Sequence, residues 1–151
     1  PEPQKTGGMP LFDVFAKRQS QRDFHDDESL TEQEMSQILW SAYGVNRDLG
    51  FLTVPSAVAA FPFDLYVFLK TGVYIYNTDY HDLEQISTTD LRAVTGEDAY
   101  AAKANMNICM MGLYEREFLA ADRKSAEKTM REDSGYIGAN LYLTAASLGL
   151  L

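Results

Sequence analysis

Phe63-Asp64-Leu65-Tyr66-Val67-Phe68-Leu69-Lys70-Thr71-Gly72-Val73-Tyr74-Ile75-Tyr76 is the stretch that decides the fold class. Phe63, Leu65, Val67 and Leu69 alternate with Asp64, Tyr66, Phe68 and Lys70, the period of a strand with one face in a core. Thr71-Gly72 reads as a turn and Val73 to Tyr76 as a second strand, so the two form a β-hairpin. Around this pair the pattern turns helical, and the order helices, hairpin, helices, strand, helices is that of an α+β domain.

Upstream, Thr31 and Glu34 have capping-box spacing, with Leu30 and Met35 placed as a hydrophobic staple. Met35, Ile38, Leu39, Ala42 and Tyr43 then recur at helical spacing until Gly44 stops the helix. Before that, Pro10 suits a first helical position, and Leu11, Val14, Phe15 and Arg18 share a face. Pro1 to Gly8 reads as the main part of a flexible arm, residues 1–9. Gly44 to Ser56 reads as a loop. Downstream, short helices are expected over Asp90–Thr95 and Asp98–Lys103. Asn107–Leu113 is a short apolar run, expected to be a central buried strand. Leu119–Arg131 reads as a charged helix and Gly135–Leu148 as a second helix, apolar on nearly every side. Such a helix needs cover all round, which predicts a dimer interface.

The 151 residues suit a single domain, 1–151, and a hydrophobic content of 46% suffices for a normal core. A net charge of −9 and a pI near 4.6 repel phosphate backbones and anionic headgroups, which argues against nucleic acid and membrane surfaces as partners. The longest apolar stretch, 136–151, is too short and too polar to span a bilayer. Cys109 is the only cysteine, so no intramolecular disulfide and no multi-cysteine zinc site is possible; its apolar neighbours suggest a buried, inert thiol. The chain starts at Pro1 without Met, which leaves a cytoplasmic and an exported, signal-processed protein both open.

The common nucleotide-binding, zinc-protease and serine-hydrolase motifs are missing. His25-Asp26-Asp27-Glu28 reads better as a solvated acidic loop ahead of the Thr31 cap than as a metal site, since adjacent ligands rarely converge on one ion. His81 reads as a surface turn residue. Two segments stand out. Lys17-Arg18-Gln19-Ser20-Gln21-Arg22 holds three of thirteen basic residues within six positions. It either complements the negative end of the first helix or grips a phosphate through charge-assisted hydrogen bonds. Val54-Pro55-Ser56-Ala57 is either an ordinary loop end or a turn that presents N–H groups and a hydroxyl to a planar heterocycle. The residues alone leave both pairs of alternatives open.

Together these segments resemble a known family. Arg18-Gln19-Ser20-Gln21-Arg22 is similar to the R-R-S-x-R motif near the start of the FMN-dependent nitroreductases. Leu39-Trp40-Ser41-Ala42-Tyr43-Gly44-Val45-Asn46-Arg47 resembles the L-W-A-A-x-G-x-N-R stretch of the small SagB-like branch, and Pro55-Ser56-Ala57 its P-S-A. Asp133-Ser134-Gly135 through Asn140 and Leu143 resembles its D-x-G-x-x-x-Q-N-x-x-L helix, and Gln4 to Pro10 the lead-in of small members. The resemblance covers essentially the whole chain. It implies a nitroreductase-like fold, an antiparallel or mixed sheet flanked by helices, built as an intertwined homodimer with FMN at the interface. It implies hydride transfer from NAD(P)H to the flavin, then to a nitroaromatic, quinone or similar small acceptor, chemistry that belongs to the cofactor and not to an acid–base pair. By the same resemblance, Arg18 and Ser20, with Gln19 between them, hold the phosphate and ribityl side. Arg22 lies at the pyrimidine edge, and Pro55, Ser56 and Ala57 line the ring from the partner subunit, with Arg47 as a further candidate.

The chain departs from the family pattern at Ala59, Phe61 and Ala139, where amides are usual; each missing amide forgoes a hydrogen bond worth about 1 kcal/mol. It also ends at Leu151, before the family's Gly-containing C-terminal strand and its flavin-directed Arg or Lys, so it is expected to be a fragment or a shortened member. Two alternatives follow: a non-catalytic dimeric relative that binds flavin or another small ligand at a decayed or truncated site, and an acidic binding domain unrelated to flavins.

Overall fold

The computed structural model describes residues 1–24, 29–97, 99–117 and 119–150. Seven elements carry the fold: helices α1 (Leu11–Lys17), α2 (Glu32–Tyr43) and α3 (Arg123–Leu148), and strands β1 (Phe63–Leu69), β2 (Gly72–Asn77), β3 (Asp82–Ser87) and β4 (Met106–Gly112). The strands form one antiparallel sheet in the order β3-β2-β1-β4. The expected hairpin is β1–β2, with Tyr66 opposite Ile75 and Leu69 opposite Gly72. Phe63, Leu65 and Val67 point to the core, where Leu39, Ala42 and Tyr43 of α2 and Met130 and Ile137 of α3 meet them.

The capping box forms as the sequence predicts. Thr31 Oγ1 accepts from the Glu34 N–H at 3.2 Å, and the Glu34 carboxylate accepts from the Thr31 N–H at 2.7 Å. These hydrogen bonds hold the Glu34 carboxyl below its ordinary pKa. Gly44 ends α2, but with φ −87° it is not a left-handed cap. Glycine is needed because a Cβ would lie 2.6 Å from the Trp40 carbonyl oxygen and would also run into its ring.

Several expectations are corrected. Residues 1–9 are no loose arm: Ser36 Oγ donates to the Pro1 carbonyl at 2.7 Å, Gln4 N–H donates to Gln37 Oε1 at 2.8 Å, and Met9 N–H donates to Ser147 Oγ at 3.2 Å. Side chains more than thirty residues away tie the segment down, a signal no local pattern carries. Strand β4 lies at the sheet edge, paired to β1 along its length, and Met111 is 53% exposed. An all-apolar run reports two apolar faces, not two paired neighbours. Strand β3 was not expected at all; it is the opposite edge, with only Leu83 and Ser87 partly covered. Finally, α3 is one helix of 26 residues, not two. A Cβ at Gly135 or Gly138 would meet nothing within 4 Å, so neither glycine marks a break.

The Asp122 side chain caps α3 through the Ser125 N–H at 2.8 Å, and Gly149, at φ 76°, is its left-handed C-cap. A polar seam joins α3 to α2: Asn140 Nδ2 donates to the Ser41 carbonyl at 2.8 Å and Thr144 Oγ1 to Ser41 Oγ at 2.7 Å. Short 3-10 turns at Arg92–Val94 and Ala99–Ala102 carry the chain from β3 to β4 where helices were expected. Asn107 of β4 anchors them by donating to the Arg92 and Ala101 carbonyls. No helix among the described residues is long and apolar enough to cross a membrane.

Candidate functional site

Helix α1 delivers the basic segment. The Arg18 N–H closes its last turn on the Val14 carbonyl at 2.8 Å, and residues 18–24 continue without regular structure. The Arg18 guanidinium lies over the Tyr142 ring of α3, 5.8 Å from its centroid, and Arg22 lies over the Tyr100 ring at the same distance. Gln19 and Ser20 between them are exposed and make no hydrogen bond among the described residues. Neither arginine forms an ion pair among the described residues, although the protein carries a charge of −9. A guanidinium stacked on a ring face keeps its in-plane N–H donors open, and those donors suit a phosphate oxygen.

The second segment follows α2. Residues 44–54 fold back on themselves through the Asn46 N–H to Phe51 carbonyl and Thr53 N–H to Gly44 carbonyl hydrogen bonds, which sends Leu52 and Val54 into the core. Arg47 braces this return: its Nη1 donates to Asn46 Oδ1 at 2.6 Å and to the Leu52 carbonyl at 3.1 Å, and its guanidinium lies over Phe51. Pro55 and Ala57 are exposed on the loop that follows, and Ser56 is half-buried. Ser56 Oγ donates to Asp133 Oδ2 at 2.6 Å and accepts from the Phe61 N–H at 3.0 Å. Phe61 turns inward and meets Tyr43 and Phe51 edge-on.

The structure groups Arg18, Gln19, Ser20 and Arg22 on one stretch, and Arg47, Pro55, Ser56 and Ala57 on another; it does not bring the two sets together within one chain. Asp133, which holds Ser56, and Tyr142, under Arg18, lie nine residues apart on α3. At about 100° and 1.5 Å per residue, they are half a turn out of phase and about 13 Å apart along the axis. Asp133 is 5% exposed on the buried face and Tyr142 is 52% exposed on the outer one. Beside Tyr142, α1 buries only Val14 and leaves Leu11, Phe12 and Phe15 exposed, Phe12 by 84%. These three side chains make an exposed apolar patch on α1.

Sequence reasoning does not single out Tyr100, Tyr142, Glu117 or a role for Asp133. Glu117 is 7% exposed and its Oε1 has no hydrogen-bond partner among the described residues. Burial, with a contribution from the Asp133 charge, pushes its carboxyl above the ordinary value. Burial does the same to Asp133, opposed by the Ser56 hydrogen bond. The aspartate of the D-x-G motif was the available signal, but its partner is 77 residues away. His81 is in a turn at φ 51°, yet half-buried, with Tyr76 OH on Nδ1 and Ser36 Oγ on Nε2, both at 2.7 Å. Burial lowers its pKa. Cys109 is half-covered in β4, and burial pushes its thiol up. The proposed acidic loop at residues 25–28 lies outside the described residues.

A sequence model described as "Nitroreductase family" matches residues 15–150. A protein of Methanocaldococcus jannaschii named as a candidate nitroreductase is 34% identical, over 94% of this chain and 76% of its own. The crystal structure of a candidate nitroreductase from Ralstonia eutropha JMP134 superposes with a TM-score of 0.90 at 35% identity, covering 99% of this chain and 70% of that one. A chain of the E. coli microcin synthetase complex shares the fold alone, with a TM-score of 0.70 at 17% identity over 96% of this chain and 62% of that one.

Proposed function

The chain belongs to the nitroreductase family, whose membership supports an oxidoreductase of nitroreductase type, and on that premise we propose that it binds FMN between two copies of itself. Bound there, FMN supplies hydride transfer from NAD(P)H to a small acceptor such as a nitroaromatic or a quinone.

The observation that carries this reading is the state of Arg18 and Arg22: two guanidiniums on an acidic protein, steadied by aromatic faces and without a carboxylate among the described residues. Their open donors fit a phosphate dianion and an electron-rich ring edge. Arg18 and Ser20, with Gln19 alongside, hold the phosphate and ribityl side. Arg22, up to about 13 Å further along an extended run, addresses the ring. Pro55, Ser56 and Ala57 come from the second copy, and Arg47 keeps their loop in shape. The half-turn separation of the two stretches on α3 favours this two-copy arrangement, as does the apolar surface of α1. The alternative, a dimeric relative that binds a ligand without turnover, draws support from Phe61, whose ring is packed inward where an amide would face the cofactor.

Visible absorbance of the purified protein, before and after FMN addition and then NADH or NADPH, tests the reading. A flavin spectrum that bleaches is expected. Arg18→Ala is expected to weaken FMN binding by about tenfold, the loss of one charge-assisted contact. A protein that stays colourless after FMN incubation contradicts the proposal; one that binds FMN but does not bleach favours the alternative.

A further inference from the structure

The loop at 55–61 holds three of the five non-glycine residues with positive φ among the described residues. Val58, Ala59 and Phe61 sit at φ of 52°, 55° and 44°. Side chains with a Cβ keep such left-handed values only where their surroundings enforce them. Two backbone bonds, Ala59 N–H to the Ser56 carbonyl at 3.1 Å and Ala60 N–H to the Ala57 carbonyl at 3.0 Å, shape the turn, and one hydroxyl joins its end to its start and to α3. Ser56 Oγ receives the Phe61 N–H at 3.0 Å, which closes the loop on itself, and donates its own proton to Asp133 Oδ2 at 2.6 Å, which ties the loop to α3. The Ala57 N–H acts on the same carboxylate. No other side chain among the described residues hydrogen-bonds to residues 55–61.

Asp133 is nearly inaccessible, so water is a poor competitor for Ser56. Glu132 on the same helix adds a like charge, and the hydrogen bonds that favour the ionised form of Asp133 come from Ser56 and Ala57. The anion is therefore satisfied by the loop it holds.

We propose that Asp133 is the positioning residue of the cofactor loop, acting through Ser56 to fix the conformation in which Pro55 and Ala57 face the bound flavin. The proposal rests on the FMN reading above. The Ser56 proton is committed to Asp133, so the loop meets its ligand mainly through backbone and the exposed Pro55 and Ala57.

Hydrogen exchange of the ligand-free protein tests the latch without any cofactor. In Asp133→Asn, one carboxylate oxygen becomes an NH2 that faces the loop's donors; in Ser56→Ala, the hydroxyl is gone. Amides of residues 57–61 are expected to exchange about tenfold faster in either variant, with α2 and β1 protection unchanged. FMN affinity is expected to fall by about tenfold in each, and by the same factor in the double variant, because both changes cut one connection. Independent contributions multiply instead, to about a hundredfold in the double variant, and that result overturns the proposal. So does loop exchange within twofold of wild type. If Asp133→Asn does not fold, Ser56→Ala decides the exchange arm alone. A wild-type protein that takes up no FMN refutes the cofactor reading, while the exchange arm still decides the latch.

Discussion

Replacing Glu117 by Gln removes a buried charge whose Oε1 has no hydrogen-bond partner among the described residues. The residue is 7% exposed. Burial and the charge of Asp133 raise its pKa above the ordinary 4.5. In the unfolded chain the group titrates near that ordinary value, so the folded state binds this proton more tightly. The stability it contributes is complete below pH about 4 and is lost as pH rises through the raised folded pKa. Gln carries no charge at any pH. The advantage of Glu117→Gln over wild type is therefore absent at pH 4 and full at pH 8. An unsatisfied buried polar group costs about 1–3 kcal/mol, and the Gln amide, also imperfectly paired, returns part of it. A net gain of about 1 kcal/mol corresponds to about 2–4 °C in Tm for a chain of this size. Thermal unfolding from pH 4 to 8 at constant ionic strength measures it. Glu115→Gln, on the exposed neighbour, controls for the general relief of the −9 charge. A Glu117→Gln gap that is flat across pH, or no larger than the Glu115→Gln gap, refutes the assignment of a buried carboxyl with an unsatisfied Oε1.

Other perturbations follow from packing. Ile137→Ala opens a cavity at a fully buried position of α3 and should cost about 2–5 kcal/mol in urea unfolding. Gly44→Ala places a methyl against Trp40 and should cost about 1–3 kcal/mol, whereas Gly138→Ala, in open space mid-helix within one chain, should not destabilise the isolated fold.

The parts of the fold legible in the sequence are those whose physics is local. The Thr31–Glu34 box and the Phe63–Tyr76 hairpin form from neighbouring residues, and both stand as read. Strand β3 was hidden because an exposed edge strand need not alternate cleanly: Glu84 and Gln85 are adjacent, and Ile86 points outward. The single long α3 was hidden by Gly135 and Gly138, which resemble interruptions until it is known that their face is open. At the candidate site, the segments were legible from their residue types, but their relation was not. The left-handed turns at Val58, Ala59 and Phe61 lack the Gly or Asn that normally announces them. The Ser56–Asp133 bond and the Arg18–Tyr142 contact join residues distant in sequence. Only the three-dimensional arrangement places them on opposite sides of one helix.

On the proposed function, a complete flavin site draws Arg18 and Arg22 from one copy and the Pro55–Ala57 loop from another. Mixing two disabled proteins tests it: Arg18→Ala/Arg22→Ala, and Ala57→Trp, which blocks the loop. Each alone should bind FMN weakly. After unfolding and refolding together, about half the dimers are mixed, and each mixed dimer holds one intact site, so about a quarter of all sites should regain wild-type FMN affinity. If the refolded mixture binds no more FMN than the two variants measured separately, the site is not shared between copies.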